Sequence, residues 1–399
     1  MSSPQTALVT GASGLLGRAV TTAFNRKSWS VTGTGLTRAN PPAILAVDLS
    51  DTNAVAKALD DVKPSVVVHC AANRFPDSCD ANPDAARALN VAATRSLADL
   101  TAKRDVVLIY ISTDYVFSGA PGEAPYETSA TPAPTNLYGL TKLEGEKAVE
   151  EAYAAAGGNG KGVVLRVPVL YGKADKHADS AVNSLVDAVW KAQKEKVVMD
   201  GWAKRFPTNT EDVGRVIADV AALYTSKIEA GEGEGLPAIL QFSSEDLFTK
   251  YEMCELFAHL MGLGLDKMEK DTKGNEGNTG VQRPFDCHLS TRALKELGIE
   301  VHTQDFKGWW RWELGAPLAA YPDRTIPSKR KYSSSLFQAS GEDAGAGGGE
   351  GEVGNKYKPD AIANIKITVG INLELKIVAV RSTKLVTTPE GMTRTPYPH

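Results

Sequence analysis

Tyr138 and Lys142 lie four residues apart in Asn136-Leu137-Tyr138-Gly139-Leu140-Thr141-Lys142. That spacing puts both side chains on one face of a helix. A free phenol, with a pKa of about 10, keeps its proton near neutrality. An ammonium beside it favours the phenolate and makes Tyr138 a usable general acid or base. Thr113, in Ser112-Thr113-Asp114, offers a hydroxyl that could hold a substrate carbonyl beside Tyr138, or simply bond nearby backbone. Thr113, Tyr138 and Lys142 are the candidate catalytic set, and the chemistry they suit is proton transfer to a carbonyl oxygen.

A second constellation stands at the start of the chain. Thr10-Gly11-Ala12-Ser13-Gly14-Leu15-Leu16-Gly17 follows a strand-like Ala7-Leu8-Val9 and opens an amphipathic stretch. Glycine is needed where such a chain turns tightly, where backbone approaches a pyrophosphate, and where helix packs on strand. A helix N-terminus offers free N–H groups and a positive dipole end to phosphate. Gly11, Ser13, Gly14, Leu15, Leu16 and Gly17 are therefore expected to cradle a nicotinamide dinucleotide, and Lys142 suits its ribose. The next strand runs out into Gly33-Thr34-Gly35-Leu36-Thr37-Arg38 with no acid to accept from a ribose hydroxyl. Arg38 could pair with a 2′-phosphate, which favours NADP(H) over NAD; the alternative is a solvated surface arginine. Asp48 and Leu49 could face an adenine edge or form a plain loop. Cys70, Ala71 and Ala72 supply the small residues that close approach to a cofactor requires, Arg74 could reach a phosphate, and Asn90 could tie strands together. Cys70 reads as a small buried hydrophobe rather than a nucleophile. The four cysteines form no CxxC pair, and His69 and His177 have no partner at ligand spacing, so no metal is expected.

These residues need a frame. Strand-like runs at 6–9, 30–34, 44–47, 66–69, 106–112 and 162–167 alternate with helical stretches at 15–25, 53–60, 84–101 and 137–155. Such alternation predicts an α/β protein: a Rossmann, doubly wound parallel sheet binding ligands at the carboxyl ends of its strands. After residue 172 the pattern loosens into helices at 180–194, 212–223 and 250–261, the last capped by Thr249, with extended pieces at 196–199 and 239–242. The expected organisation is an NADP-binding Rossmann domain at 1–172, with returning elements from 206–243. A smaller substrate-type α/β lobe follows at 173–323, then a low-complexity tail at 324–399. The Gly- and Glu-rich 345–354 predicts disorder, and 362–380 is rich enough in Ile, Val and Leu for strands.

Composition narrows the partners. With 44 Lys and Arg against 48 Asp and Glu, the net charge is −4, so nucleic acid is not expected. No signal peptide and no membrane-length apolar run is visible, and scattered cysteines suit a reducing, cytoplasmic setting.

TGASGLLG, CAA, STDYVF and YGLTKLEGE resemble the extended short-chain dehydrogenases/reductases, in the dTDP-4-dehydrorhamnose reductase-like branch. Within it the chain is similar to the regulatory beta subunits of methionine adenosyltransferase, through GLLGRAV, YISTDYVF, NLYGLTKLEGEKAV, LRVPVLYG, RFPT, TKYEM and QRP. The likeness runs from about residue 6 to about residue 308. It implies a Rossmann fold that binds NADP(H) and associates with the catalytic methionine adenosyltransferase subunit in a hetero-oligomer, tuning S-adenosylmethionine synthesis. It also implies cofactor contacts at Ser13 to Leu16, Leu36, Thr37, Arg38, Asp48, Leu49, Cys70, Arg74, Tyr138, Lys142 and Leu170. The beta subunits carry serine where Thr113 stands and the sugar reductases threonine. The reductases have a glutamine- and glycine-containing substrate segment where this chain reads Asp200 to Thr208. Two function classes follow: a regulatory subunit, or an NADPH-dependent reductase of 4-keto nucleotide sugars. A cofactor-bound scaffold or redox sensor is a third. Trp309, Trp310, Arg311 and Trp312, with the tail beyond, are the candidate partner contacts.

Overall fold

The computed structural model describes residues 5–158, 160–277 and 280–316. Seven strands form one sheet: β1 (Thr6–Thr10), β2 (Ser30–Gly35), β3 (Ile44–Ala46), β4 (Val66–His69), β5 (Val107–Thr113), β6 (Gly162–Val167) and β10 (Ile239–Gln241). Their order is β10-β6-β5-β4-β1-β2-β3, and every pairing is parallel. This is the doubly wound order that reverses at β1, where a crevice opens at the carboxyl edge. β4 and β5 are buried along their whole length, as strands covered on both faces must be.

One face carries α1 (Leu15–Arg26) and α8 (Thr210–Glu229), with Val20, Phe24, Val213, Ile217, Val220 and Tyr224 in the shared core. The other face carries α2 (Thr52–Val62), α5 (Thr94–Ala102) and α6 (Leu137–Ala155), centred on Leu59, Leu97, Val149 and Tyr153. A separate cluster of Tyr171, Leu185, Val189, Phe257, Phe306 and Trp310 joins α7 (Ser184–Ala192), α9 (Lys250–Met261) and α11 (Phe306–Glu313). Beside it β8 (Val197–Asp200) pairs β11 (Met268–Asp271), and the short β7 (Leu170–Tyr171) pairs β9 (Thr208–Asn209). α10 (Arg292–Glu296) packs under β10. Among the described residues no helix is long and apolar enough to cross a membrane.

The helix expected at 84–101 is present as one continuous helical run from Pro83 to Ala102 with a π-helical turn inside it, and a short helix that was not expected precedes it. α3 (Pro76–Ala81) and α4 (Pro83–Arg87) each begin on a proline, and a π-helical turn (Ala88–Ala93) precedes α5. Proline suits a first helical position and breaks the helix before it. The helix expected at 180–194 starts only at Ser184, because Ser180 turns the chain with its hydroxyl on the Val182 and Asn183 amides. Thr249 caps α9 in a reciprocal pair with Glu252. The tail and the strands expected at 362–380 lie outside the described residues.

Candidate functional site

β1 feeds α1 through the glycine turn. Gly11 has φ +64°, and a Cβ there would lie 3.0 Å from the Ala71 backbone. At Gly17 a Cβ would fall 2.2 Å from the Gly11 carbonyl oxygen and 2.7 Å from Ala12 Cα. Only glycine lets α1 lie this close to its strand. Gly14 is the N-cap and supplies no side-chain cap, so first-turn amides face the crevice unclaimed, as an anion site requires.

A cavity of about 250 Å³ opens at the carboxyl edge of the sheet. Gly11, Gly14, Leu15, Leu16, Gly17, Cys70, Ala72, Arg74, Thr113, Tyr138, Lys142 and Leu170 all border it. Ser13 and Ala71 stay just outside, beside Gly35 and Gly11 respectively. Leu36, Thr37, Arg38, Asp48 and Leu49 lie away from the cavity lining. Leu36 is exposed, and Asp48 accepts from the Ser50 amide and hydroxyl, which hold its carboxyl below the usual range. Arg38 approaches the rim, 3.7 Å from Asp179 and 3.9 Å from Asp175. Arg74 reaches the same corner, donating to the Asp179 carbonyl at 2.8 Å while lying over the Phe75 ring. A larger groove of about 480 Å³ runs between α1 and α8, away from the Tyr138 and Lys142 side chains.

Asn136 caps α6 through the Gly139 amide, and α6 then carries Tyr138 and Lys142 against the end of β5. Gly139 and Gly145 permit this contact: a Cβ would meet the Tyr115 carbonyl oxygen at 2.1 Å and the Tyr110 hydroxyl at 2.2 Å. The Thr113 hydroxyl faces the Tyr138 phenol, donates to Asp114 at 3.0 Å and accepts from the Tyr115 amide. It thus makes the expected strand-end bonding and also faces Tyr138.

The electrostatics differ from the sequence expectation in one respect. Lys142 does not pull the Tyr138 phenol down; burial raises it well above its ordinary value. The Lys142 ammonium sits 4.0 Å above the Tyr110 ring instead. Its own pKa falls to about 7 through burial, with Glu146 opposing that fall. Lys142 therefore titrates near neutrality and makes a weak electrostatic neighbour. Glu146, one turn further along α6, accepts from the Ser112 hydroxyl and binds Arg166 in a fork of 3.0 and 2.7 Å.

Asn90 ties the chain differently from expectation. From the π-helical turn it accepts from the Asn73 amide at 2.8 Å, donates to the Asn73 carbonyl at 2.9 Å, and reaches Thr141 on α6. It clamps the loop after β4 to α6 rather than strand to strand. Burial raises the Cys70 thiol to about 12, which suits an inert side chain. Among the described residues no acidic, His or Cys cluster could hold a metal.

His69 is buried between the Thr10 and Thr94 hydroxyls, at 2.7 and 3.1 Å, and burial lowers its pKa from 6.5 to about 3. The folded state thus keeps His69 neutral while the unfolded chain binds a proton below pH 6.5. Its stabilisation is complete above pH 6.5 and is lost progressively as pH falls towards 3, with a slope approaching about 1.4 kcal/mol per pH unit. Urea unfolding at pH 5 and pH 7.5 should show a His69→Gln variant flatter by one proton. An identical slope in both proteins would remove His69 as the source.

Sequence reasoning missed the three cations at the other end of this cavity, Arg205, Lys250 and Arg283. Each falls within a stretch noted for family likeness (RFPT, TKYEM, QRP). Of the candidate partner contacts, Trp310 is buried in the Tyr171 and Phe257 cluster while Trp312 is exposed.

Sheet order, glycine turn and the Tyr138–Lys142 face define a Rossmann protein of the extended reductase type, and residues 5–312 match the RmlD substrate binding domain, the family to which this chain belongs. It is 40% identical over 296 residues to the methionine adenosyltransferase 2 subunit beta of Pongo abelii, covering 74% of this chain and 83% of that protein. The Danio rerio protein of the same name is 39% identical over 300 residues, 75% and 87% of the two chains. In fold, the chain is similar to a Bacillus anthracis dTDP-4-dehydrorhamnose reductase solved with NADP, at TM-score 0.63 and 20% identity, covering 78% of this chain and 98% of that one.

Proposed function

We propose that this chain is an NADP(H)-binding regulatory subunit of the beta type. It acts in the cytoplasm with a catalytic methionine adenosyltransferase subunit and sets the rate of S-adenosylmethionine synthesis. The observation that carries this reading is the span of the likeness: 40% identity across 83% of a named beta subunit. The cofactor half rests on the crevice itself. Gly11 and Gly17 leave a hollow that any Cβ would fill, α1 presents uncapped amides, and Arg38 and Arg74 stand at the rim. Gly11, Ser13, Gly14, Leu15, Leu16 and Gly17 would hold the diphosphate. Arg38 would take the 2′-phosphate by exchanging Asp175 and Asp179 for it.

One observation favours a second reading. Thr113, Tyr138 and Lys142 converge on a single cavity, as a carbonyl reductase needs. Bound NADPH would supply a hydride there. Tyr138 would give its proton to the carbonyl oxygen, Thr113 would orient that oxygen, and Lys142 would hold the ribose. The raised Tyr138 pKa suits a donor that keeps its proton.

Co-elution with the same organism's catalytic subunit, in NADP, tests the first reading. A shared peak with altered methionine kinetics is expected, and separate peaks at micromolar protein would overturn it. Tyr138→Phe separates the two readings. A regulatory subunit keeps its effect on the partner. A reductase acting on a 4-keto nucleotide sugar loses about 10²–10⁴-fold in turnover.

A further inference from the structure

We propose that the far end of the cavity is an oxyanion site, built by Arg205, Lys250 and Arg283, for the carboxylate or phosphate of a compact ligand. This deepens the reading above and rests on it only in assigning the other end of the cavity to the cofactor.

The orphaned donor of Arg205 carries the inference. Its side chain is 3% exposed. Nη1 donates to the carbonyls of Lys204 and Pro284, at 2.9 and 3.2 Å. Nη2 has no hydrogen-bond partner, and the Asp200 carboxylate stands off at 3.8 Å. Buried guanidinium donors are normally satisfied. Lys250, at the first position of α9, borders the same space, and its side chain makes no hydrogen bond among the described residues. Burial and the two neighbouring arginines lower its pKa to about 8. Arg283 closes the group, anchored at 2.7 Å on the exposed Asp77. Around the whole cavity, five lysines and arginines (Arg74, Lys142, Arg205, Lys250, Arg283) face three aspartates (Asp77, Asp114, Asp179). Cations crowded in a partly dry space repel one another, and an oxyanion between them supplies both charge and acceptor lone pairs.

Size limits the ligand. A cavity of about 250 Å³ falls below the roughly 300–1,000 Å³ of ordinary ligand pockets, and it is shared with the end facing Tyr138. That leaves room for a few heavy atoms, not a nucleoside diphosphate. The Tyr115 ring links the two ends, 5.8 Å from Arg205 Cζ and 6.0 Å from the Tyr138 ring.

Calorimetric titration of the full chain, saturated with NADP to cover the glycine turn, tests this with oxalate, inorganic phosphate and dTDP as probes. Oxalate or phosphate is expected to bind, the tighter one naming the source of the oxyanion. Lys250→Gln and Arg283→Gln should each weaken that binding at least tenfold while NADP affinity holds, which also reports that both variants fold. Absence of binding by both compact anions, unchanged affinity in both variants, or tighter binding of dTDP would each overturn the proposal. Failure of NADP itself to bind would count against the cofactor reading, and the oxyanion site would then be read from the loss of anion binding in Lys250→Gln and Arg283→Gln alone, since the glycine turn also binds anions.

Discussion

Glu146→Ala should lower the free energy of unfolding by about 3–5 kcal/mol, because it strands a buried charge. Arg166 is 1% exposed and donates two hydrogen bonds to the Glu146 carboxylate, while its Nη1 already has no partner. Removing the carboxylate leaves Nε and Nη2 unpaired as well, and the Ser112 hydroxyl loses its acceptor. Nothing nearby replaces water for them: Arg166 lies between β5 and β10 with the Phe117 ring 5.1 Å away. A double variant, Glu146→Leu with Arg166→Met, removes both charges and should recover most of the loss, as buried pairs exchanged for apolar neighbours often do. Equilibrium urea unfolding of the three proteins measures this. A single-variant loss under about 1 kcal/mol, or a double variant no better than the single one, would sink the argument. Glu146 also opposes the burial-driven fall in the Lys142 pKa, so its loss should leave Lys142 less charged at neutral pH.

The second large effect belongs to Gly17→Ala. The new Cβ would press on Gly11 and Ala12 backbone atoms at 2.2 and 2.7 Å, and backbone cannot rotate away as a side chain can. α1 must therefore lift from β1. Overpacking of this kind costs typically about 1–3 kcal/mol, and a lifted α1 misplaces its first-turn amides. NADP affinity should fall at least tenfold, or about 1.4 kcal/mol, with a lower melting temperature. Gly122→Ala is the control. Gly122 has φ +89° but open space around it, so the change costs only left-handed strain, about 1–2 kcal/mol, and NADP affinity should hold. Intact NADP binding in Gly17→Ala would refute the cradle.

What the sequence made legible was whatever acts locally. The glycine turn declares itself because three glycines, a preceding apolar run and a following helix are contiguous. Tyr138 and Lys142 do so because helical spacing is a local rule. The α9 cap was visible for the same reason, Thr249 and Glu252 being three apart. Two failures are instructive. The short helix α3 went unread, although Pro76 suits its first helical position. The expected softening of Tyr138 by Lys142 treated spacing as electrostatics, whereas burial governs both groups. Arg205, Lys250 and Arg283 were invisible as a site because they come from three segments far apart in sequence. Only the fold of the later half brings them to one cavity, and no periodicity announces it.

The place of α8 and β10 in the central layers has a bearing on synthesis. The last strand of the consecutive series, β6, ends at Val167, yet its outer neighbour β10 ends at Gln241 and α8 lies between them in the chain. Until those residues emerge, Val20 and Phe24 lack the Val213, Ile217 and Tyr224 side chains that complete their core. At the usual 5–20 residues per second, the nascent nucleotide-binding half would wait on the order of ten seconds with one apolar face uncovered. That interval is when a chaperone has most to protect, and a chain truncated near residue 172 would never leave it.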